Sequence, residues 1–211
     1  MDKAFFVFGD SIAFSSSDLV NGWVQRLASF LGMKNLSGDD YYCLYNLAVP
    51  GNTTEDLLKR FNFEVKQRFS EDEEVIIIFA IGINDSQFLR SQNDNRISLK
   101  ELSGNVEKLI ASAKGFSSKI VFLGLTPVDE LKTIPIPWNK DKSYKNEYIK
   151  RYDSVIKNIC KREGVYFVDI SSKISVGDFK NLLEDGLHPN LEGHRKIFEI
   201  LKDFLIAQEI I

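Results

Sequence analysis

Short apolar runs alternate with longer segments of helical spacing along this chain of 211 residues, and that alternation limits the folds it can adopt. Five β-rich runs lie at residues 4–8, 41–47, 75–81, 119–125 and 165–170. The central runs are apolar throughout, which is typical of parallel strands that are buried on both faces. The pattern predicts an α/β fold, with a five-stranded parallel sheet between two layers of helices, in a single domain of residues 1–211.

Capping residues mark where the helices between these strands should begin and end. Thr53 with Asp56, and Ser98 with Glu101, have the spacing of capping boxes, so helices are predicted to begin after residues 53 and 98. Glycine readily adopts the left-handed backbone conformation that follows the last turn of a helix. Helix ends are therefore predicted at three glycines, Gly32, Gly115 and Gly164.

Two stretches, 86–97 and 126–142, fit neither the helical nor the strand period. The second contains three prolines and follows the fourth predicted strand, and loops at this edge of a parallel sheet commonly carry specificity. Trp138, in this proline-rich loop, is a candidate cover for an acyl or alcohol pocket. Tyr144 begins a series of side chains at helical spacing, which indicates core packing first and a ligand wall second.

The overall charge and the length of the apolar runs argue against two classes of partner. Lys and Arg number 27 against 30 Asp and Glu, for a net charge of −3, so no basic field is present to hold nucleic acid. The longest apolar run, residues 75–83, is less than half of the about 20 residues that a membrane span needs. Stable membrane association is therefore not expected.

The cysteines and the N-terminal residues indicate a cellular compartment. Cys43 and Cys160 lie in apolar surroundings without metal-ligand spacing. The first apolar stretch ends at Asp10, too early for a secretory signal. A reduced, cytoplasmic protein is the simplest interpretation, and the alternative is an exported protein with one disulfide.

Polar residues follow the predicted strands at the edge where open parallel sheets bind their ligands. Ser11 follows the first strand, and Asp185 and His188 precede the last predicted helix. A serine hydroxyl becomes a good nucleophile when a base takes its proton, and an imidazole is the suitable base near neutral pH. Asp185, three residues before His188, can hold the other ring nitrogen. Ser11, His188 and Asp185 are therefore candidates for the nucleophile, the base and the residue that orients the base.

The same edge offers donors for the oxyanion of a tetrahedral intermediate, which is stabilised by preorganised N–H groups. Gly51 follows the second strand and Asn84 follows the third. The candidate donors are the backbone N–H groups of Ser11 and Gly51 and the side-chain amide of Asn84. A glycine at position 51 also lets the backbone and a substrate approach closely.

These residues stand in blocks that resemble the GDSL, or SGNH, family of serine hydrolases. The blocks are Gly9-Asp10-Ser11, Gly51, Gly82-Ile83-Asn84-Asp85 and Asp185-Gly186-Leu187-His188, in the family's order and across most of the chain. The resemblance implies the SGNH hydrolase fold, a flavodoxin-like sandwich with strand order 2-1-3-4-5, and ester hydrolysis through an acyl-enzyme. Residue 12 is Ile where the family's name has Leu, a change between two apolar side chains.

Three other polar residues have simpler structural interpretations. Asp10 is expected to bond nearby backbone at the end of the first strand, and Asp85 to support its loop or cap the segment after it. His194, at the start of the last helix, is predicted to be a partly buried or surface helix residue and not the base. No cluster of His, Cys and carboxylates has zinc spacing and no phosphate-binding loop is present in the sequence, so neither a metal nor another cofactor is predicted.

The residues and the resemblance together predict an esterase whose partner is a small-molecule ester. The first choice of substrate carries a short acyl group, acetyl above all, on a sugar or another small alcohol. Nothing in the sequence resembles the long apolar lid of a fatty-acyl pocket. The alternatives are a lysophospholipase or thioesterase for longer chains, an acyltransferase and, in another class, a non-catalytic carbohydrate-binding protein on the same fold. The oligomeric state is not predicted.

Overall fold

A parallel sheet lies at the centre of the computed structural model, which describes residues 2–15, 20–36, 38 and 40–211. The strands are β1 (Lys3–Gly9), β2 (Tyr42–Asn46), β3 (Glu74–Ala80), β4 (Phe88–Leu89), β5 (Asp94–Asn95), β6 (Lys119–Leu123), β7 (Lys142–Ser143) and β8 (Tyr166–Val168). The helices are α1 (Ser11–Phe14), α2 (Trp23–Asn35), α3 (Thr54–Lys66), α4 (Leu99–Ala113), α5 (Glu130–Thr133), α6 (Asn146–Glu163), α7 (Val176–Phe179) and α8 (Leu191–Ala207). A single 3₁₀ turn, Lys180–Leu182, follows α7 among these residues.

The main sheet has the order β2-β1-β3-β6-β8, and every neighbouring pair of its strands is parallel. Numbered among themselves, these five strands follow the order 2-1-3-4-5, so the predicted topology is confirmed. The central strands are covered on both faces, and Phe5, Ile77 and Val121 are fully buried. On the helical layers, α4 packs against α3 and α6, whereas α2 packs against α8. The predicted three-layer α/β/α sandwich is therefore confirmed.

Both predicted capping boxes open helices. The hydroxyl of Thr53 accepts from the N–H of Asp56 at the start of α3, and Ser98 does the same with Glu101 at the start of α4. Gly164 follows α6 in the left-handed conformation, with φ of 68°, as predicted for a helix end.

The predicted end of a helix at Gly32 is wrong, because α2 continues through it to Asn35. The cost of a helical glycine, about 1 kcal/mol relative to alanine, is modest. It is offset at the end of the helix, where the Asn35 side chain bonds both backbone groups of Tyr42 on β2, at 2.8 and 3.0 Å. A contact with the edge strand, which lies outside the local pattern, therefore stabilises the last turn of α2.

The two stretches without a clear period, 86–97 and 126–142, are joined by a second, small sheet. Its order is β5-β4-β7, with both pairs antiparallel and each strand only two residues long. The second stretch also contains the short helix α5. Elements this short show no detectable period, so the sequence predicted none of them.

Both cysteines are free thiols, Cys43 on β2 and Cys160 on α6. The alternative of a single disulfide is therefore wrong. Burial raises the pKa of the Cys160 thiol to about 12, so this group stays protonated at neutral pH. None of the helices in the described part of the chain combines the length and the apolar character that a membrane crossing demands.

Candidate active site

Ser11 lies where the central strand β1 turns into the short helix α1. The side chain of Asp10 caps that helix by accepting from the N–H of Ile12 at 3.0 Å. Gly9 permits a close approach at the turn, since a Cβ there would lie 2.7 Å from the carbonyl oxygen of Ala80. As the first residue of α1, Ser11 has a backbone N–H without an intrahelical acceptor. The turn therefore presents both the hydroxyl and the N–H of Ser11 at the carboxyl edge of the sheet.

His188 and Asp185 come from the loop before α8. One carboxylate oxygen of Asp185, Oδ1, accepts from the backbone N–H groups of Leu187 and His188 at 2.9 and 2.8 Å. The other, Oδ2, lies 2.7 Å from Nδ1 of His188. Nε2 of the same ring lies 2.9 Å from the hydroxyl oxygen of Ser11. The three side chains thus form one hydrogen-bonded chain.

The charge of Asp185 determines which group donates and which accepts in the hydrogen bonds that join Asp185, His188 and Ser11. Partial burial raises the pKa of this carboxyl, but the hydrogen bonds from His188 and Leu187 outweigh it and lower the pKa to about 2. An ionised carboxylate only accepts hydrogen bonds, so Nδ1 of His188 carries its proton. The lone pair of Nε2 then faces Ser11, whose hydroxyl donates to it.

Gly51 and Asn84 line the same cavity as Ser11 and His188. Gly51 is the third residue of a turn closed by the N–H of Asn52 on the carbonyl of Val49, at 3.1 Å, and its φ of 80° is one that favours glycine. The Asn84 amide is buried, and its nitrogen donates to the carbonyl of Asn52 at 3.0 Å. The structure therefore brings all five predicted site residues together, although Asp185 lies behind His188 and does not line the cavity.

A family model that describes GDSL-like lipases and acylhydrolases matches residues 7–196. The chain belongs to the GDSL-like lipase/acylhydrolase family. As a member, it is a hydrolase of carboxylic esters. A search of curated protein sequences gives no significant match.

Solved structures share the fold of this GDSL-like hydrolase at low sequence identity. LAE5, an α/β hydrolase from the metagenome of Lake Arreo in Spain, is 20% identical with a TM-score of 0.72, over 97% of this chain and 94% of that one. The psychrotrophic esterase EstA from Pseudoalteromonas sp. is 17% identical with a TM-score of 0.69, over 99% of both chains. The acetylxylan esterase Axe2 from Geobacillus stearothermophilus is 19% identical with a TM-score of 0.69, over 95% of this chain and 92% of that one.

The cavity of this GDSL-like hydrolase measures about 260 Å³ and is lined mainly by polar side chains. Beyond the predicted site residues, the lining is Gln87, Arg96, Asn139, Lys142 and Tyr144, with the apolar Ile136, Trp138 and Leu187. The Trp138 ring lies 6.2 Å from the His188 ring with 26° between their planes, and 57% of this side chain is exposed. Trp138 therefore stands beside the imidazole at the entrance.

Sequence reasoning did not single out Gln87 or Arg96, and it placed Tyr144 in the core first and in a ligand wall second, whereas all three line this cavity. Tyr144 precedes α6 instead of belonging to it, and follows β7 as a buried residue of the cavity wall. Arg96 donates from Nη1 to the carbonyl of Gly51 at 3.0 Å and so ties the loop of β5 to that glycine turn. No local pattern marks Gln87 or Arg96, because each comes from an irregular or very short segment.

Two carboxylates near the site have the structural contacts that were predicted for them. Burial raises the pKa of Asp10, the cap of α1, to about 7. Asp85 accepts from the backbone N–H and the hydroxyl of Thr54, and burial raises its pKa to about 6. Asp85 thereby fastens the loop after β3 to the first turn of α3. Within the described ranges, no three His, Cys, Asp or Glu side chains are grouped so that they could hold a metal ion.

His194 belongs to helix α8, as predicted, but is fully buried instead of partly buried or at the surface. Its Nε2 lies 3.3 Å from the hydroxyl of Ser15, and its Nδ1 accepts from the backbone N–H of Trp23 at 3.4 Å. These contacts join α8 to α2 and to the end of α1. His194 is not among the residues that line the cavity.

Proposed function

We propose that this GDSL-like hydrolase cleaves short-chain acyl esters, acetyl esters above all, of sugars or other small alcohols through an acyl-enzyme on Ser11. The observation that carries the proposal is the hydrogen-bonded chain from Asp185 through His188 to Ser11, with steps of 2.7 and 2.9 Å. In this arrangement Nε2 of the imidazole faces the hydroxyl that it must deprotonate.

The reaction follows from that geometry. The hydroxyl oxygen of Ser11 attacks the ester carbonyl carbon while its proton passes to Nε2 of His188. The ionised carboxylate of Asp185 stabilises the imidazolium that results. The imidazolium then protonates the leaving alcohol as the carbon–oxygen bond breaks, and the acyl group remains on Ser11. Water, deprotonated by His188, repeats the steps and releases the carboxylic acid.

Three donors are proposed for the oxyanion of each tetrahedral intermediate. They are the backbone N–H groups of Ser11 and Gly51 and one N–H of the Asn84 side chain. All three residues line the cavity that contains the Ser11 hydroxyl. Donors held in place before the reaction are effective because they need no reorganisation as charge develops, and each is worth about 10²–10³-fold in kcat.

The size and polarity of the cavity support a small, polar substrate. Its volume of about 260 Å³ is below the roughly 300–1,000 Å³ of pockets for drug-sized ligands. Amide and cationic side chains, such as Gln87, Asn139 and Lys142, suit the hydroxyl groups of a sugar better than an alkyl chain. An acetylxylan esterase is among the proteins of similar fold, which agrees with this choice.

The proposal keeps three further predictions from the sequence. The chain acts as one domain over residues 1–211, in the cytoplasm, and without a metal or another cofactor. Its partner is the small-molecule ester itself.

Hydrolysis of p-nitrophenyl acetate, butyrate and octanoate tests the proposal. We expect turnover that falls with chain length and that Ser11→Ala abolishes. Ser154→Ala is the matched control, since this exposed hydroxyl on α6 donates to the Lys150 carbonyl of its own helix and does not line the cavity. Reaction of Ser11 with a serine-directed phosphonate gives a second readout. The esterase EstA, one of the proteins of similar fold, has been solved in a form inhibited by monoethylphosphonate.

Each other outcome selects another function. Preference for octanoate would favour the lysophospholipase or thioesterase alternative. Faster transfer to an added alcohol than to water would indicate an acyltransferase. Failure to hydrolyse any ester and to react with the phosphonate would contradict the proposal and favour a binding protein on the same fold.

A further inference from the structure

The Asn84 side chain is held at both ends of its amide. Its nitrogen donates to the carbonyl of Asn52 at 3.0 Å, and its oxygen accepts from the hydroxyl of Tyr144 at 2.7 Å. The two ends of an amide have nearly the same shape, so only hydrogen bonds determine which end faces which way. These two contacts therefore decide what Asn84 presents to the cavity.

The group at one end of this hydrogen-bond network determines the direction of the whole network, because that group can accept hydrogen bonds but cannot donate them. A backbone carbonyl such as that of Asn52 only accepts, so the nitrogen end of the Asn84 amide must face it. The oxygen end then faces Tyr144, whose hydroxyl must donate. The Tyr144 oxygen is left to accept, and Nε2 of Gln87 donates to it at 2.7 Å. The network therefore runs in one direction, from Gln87 through Tyr144 and Asn84 to Asn52.

This direction determines the chemistry at the cavity. An amide nitrogen carries two hydrogens, and the Asn52 carbonyl takes one of them. The second hydrogen is on the same nitrogen, and the Asn84 side chain lines the cavity together with Ser11. A reversed amide would instead bring its partly negative oxygen toward the developing oxyanion, which it would repel. Burial raises the pKa of Tyr144 well above its ordinary value, so its hydroxyl keeps the proton that holds the amide in place.

The small sheet β5-β4-β7 positions the two supporting residues. Gln87 directly precedes β4, Tyr144 directly follows β7, and these strands pair with each other. The backbone of Tyr144 is also bonded twice to Thr133, from its N–H to the Thr133 carbonyl at 3.0 Å and from the Thr133 hydroxyl to its own carbonyl at 2.9 Å. All three side chains are buried. The support therefore consists of buried side chains joined by hydrogen bonds, and such an arrangement suits a preorganised donor.

We infer that Tyr144 is a positioning residue for ester hydrolysis, which acts through Asn84 by holding its amide with the nitrogen toward the oxyanion, and that Gln87 in turn orients the Tyr144 hydroxyl. The inference rests on the proposed function, because it assigns Asn84 to the oxyanion. It also gives the small sheet a role in the reaction, since that sheet brings the supporting side chains to the site.

The test is the kinetic effect of Tyr144→Phe on p-nitrophenyl acetate hydrolysis. Supporting hydrogen bonds to functional groups in metal sites are worth about 10–100-fold, and we expect kcat and kcat/KM to fall together by about 10-fold, with KM unchanged. Tyr152→Phe is the matched control, since Tyr152 is another buried tyrosine whose hydroxyl donates to a backbone carbonyl, that of Ile97. It should change thermal stability to a similar extent and leave kcat unchanged.

A double-mutant cycle with Asn84→Ala separates positioning from a general structural effect. Tyr144→Phe should have no further effect once the amide of Asn84 is absent, because the residue acts only through it. An equal loss in both backgrounds, or a wild-type kcat in Tyr144→Phe, would overturn the inference while leaving the esterase proposal intact. Wild-type enzyme without Ser11-dependent turnover would refute both. Gln87→Met provides a second variant with the same expected pattern if Tyr144→Phe does not fold.

Discussion

Replacing Asp185 by asparagine tests the assignment of the proton in the proposed hydrogen-bonded chain. The side-chain oxygen of the new amide would stay on the backbone N–H groups of Leu187 and His188, which bond Oδ1 of Asp185 at 2.9 and 2.8 Å. Its NH₂ group would then face Nδ1 of His188, now 2.7 Å from Oδ2. Because an NH₂ group donates, Nδ1 would have to accept. The ring proton would move to Nε2, and Ser11 would face a donor instead of a base.

The expected loss of kcat is large because the substitution moves the ring proton of His188 to the other nitrogen, which is a greater change than the weakening of one contact. The same change in a serine protease triad lowers kcat by about 10⁴-fold with the geometry intact, which corresponds to about 5.5 kcal/mol of activation free energy. Two backbone hydrogen bonds determine the orientation of the amide here, so a loss of the same order, about 10⁴-fold, is expected.

The assay is p-nitrophenyl acetate hydrolysis by Asp185→Asn, with unfolding in urea measured in parallel. Asp169→Asn is the control, since Asp169 is another loop carboxylate that accepts from a backbone N–H, that of Ser172 at 2.9 Å, and lies outside the cavity. A folded Asp185→Asn variant that keeps a tenth or more of wild-type kcat would refute the reasoning. So would a similar loss of kcat in Asp169→Asn.

Four other predictions concern the backbone, the buried charge, the entrance and the base. Gly51→Ala should cost about 1–2 kcal/mol of stability because its φ of 80° disfavours a side chain, although the added Cβ meets nothing within 4 Å. It should also lower kcat, whereas Gly164→Ala, at φ 68° with equally open surroundings, should match the stability loss in urea unfolding and leave kcat unchanged. Burial raises the pKa of Asp153 from 3.8 to about 6, so the folded state binds this proton more tightly than the unfolded state, and the contribution of this carboxyl to wild-type stability falls as pH rises from about 4 through about 6. Asp153→Asn should reduce the loss of unfolding free energy between pH 4 and pH 8 by up to about 3 kcal/mol relative to wild type. The same pH dependence in the variant as in wild type would contradict this prediction. Trp138→Ala should raise KM for a sugar ester by about 2- to 10-fold without lowering Tm, since this ring is mostly exposed. Activity should depend on pH, because the proposed mechanism uses His188 as a base, and a chemistry-limited profile that is flat from about pH 5 to about pH 9 would argue against this base.

Local signals predicted the main sheet and several helix ends. The apolar runs at β1, β3 and β6 need only a few consecutive residues to be recognised, and the capping boxes at Thr53 and Ser98 need only four. The prediction at Gly32 is wrong for a related reason. The end of α2 depends on contacts between Asn35 and a separate strand, which its own residues do not indicate.

The site residues were predictable from the sequence, with their proposed roles and their common edge of the sheet, but the residues that support them were not. Ser11 and His188 lie 177 positions apart and are joined only because β1 and the loop before α8 meet at the same edge of the sheet. Gln87 and Tyr144 carried no signal as neighbours of Asn84. They meet through two-residue strands that are 50 or more positions apart in the chain.

The order of strands in the main sheet, the family, and the serine, histidine, carboxylate and amide that the proposed chemistry requires could all be recognised from the amino-acid sequence. These depend on apolar periodicity, caps and short motifs, all of which act over a few residues. The hydrogen bonds that orient the Asn84 amide, and the polarity of the cavity, become visible only in the folded molecule. Hydrogen-bond direction and cavity shape depend on groups that are distant in the chain. A donor and an acceptor form a bond only when packing brings them within about 3 Å of each other, and the walls of a cavity likewise meet only in the folded protein.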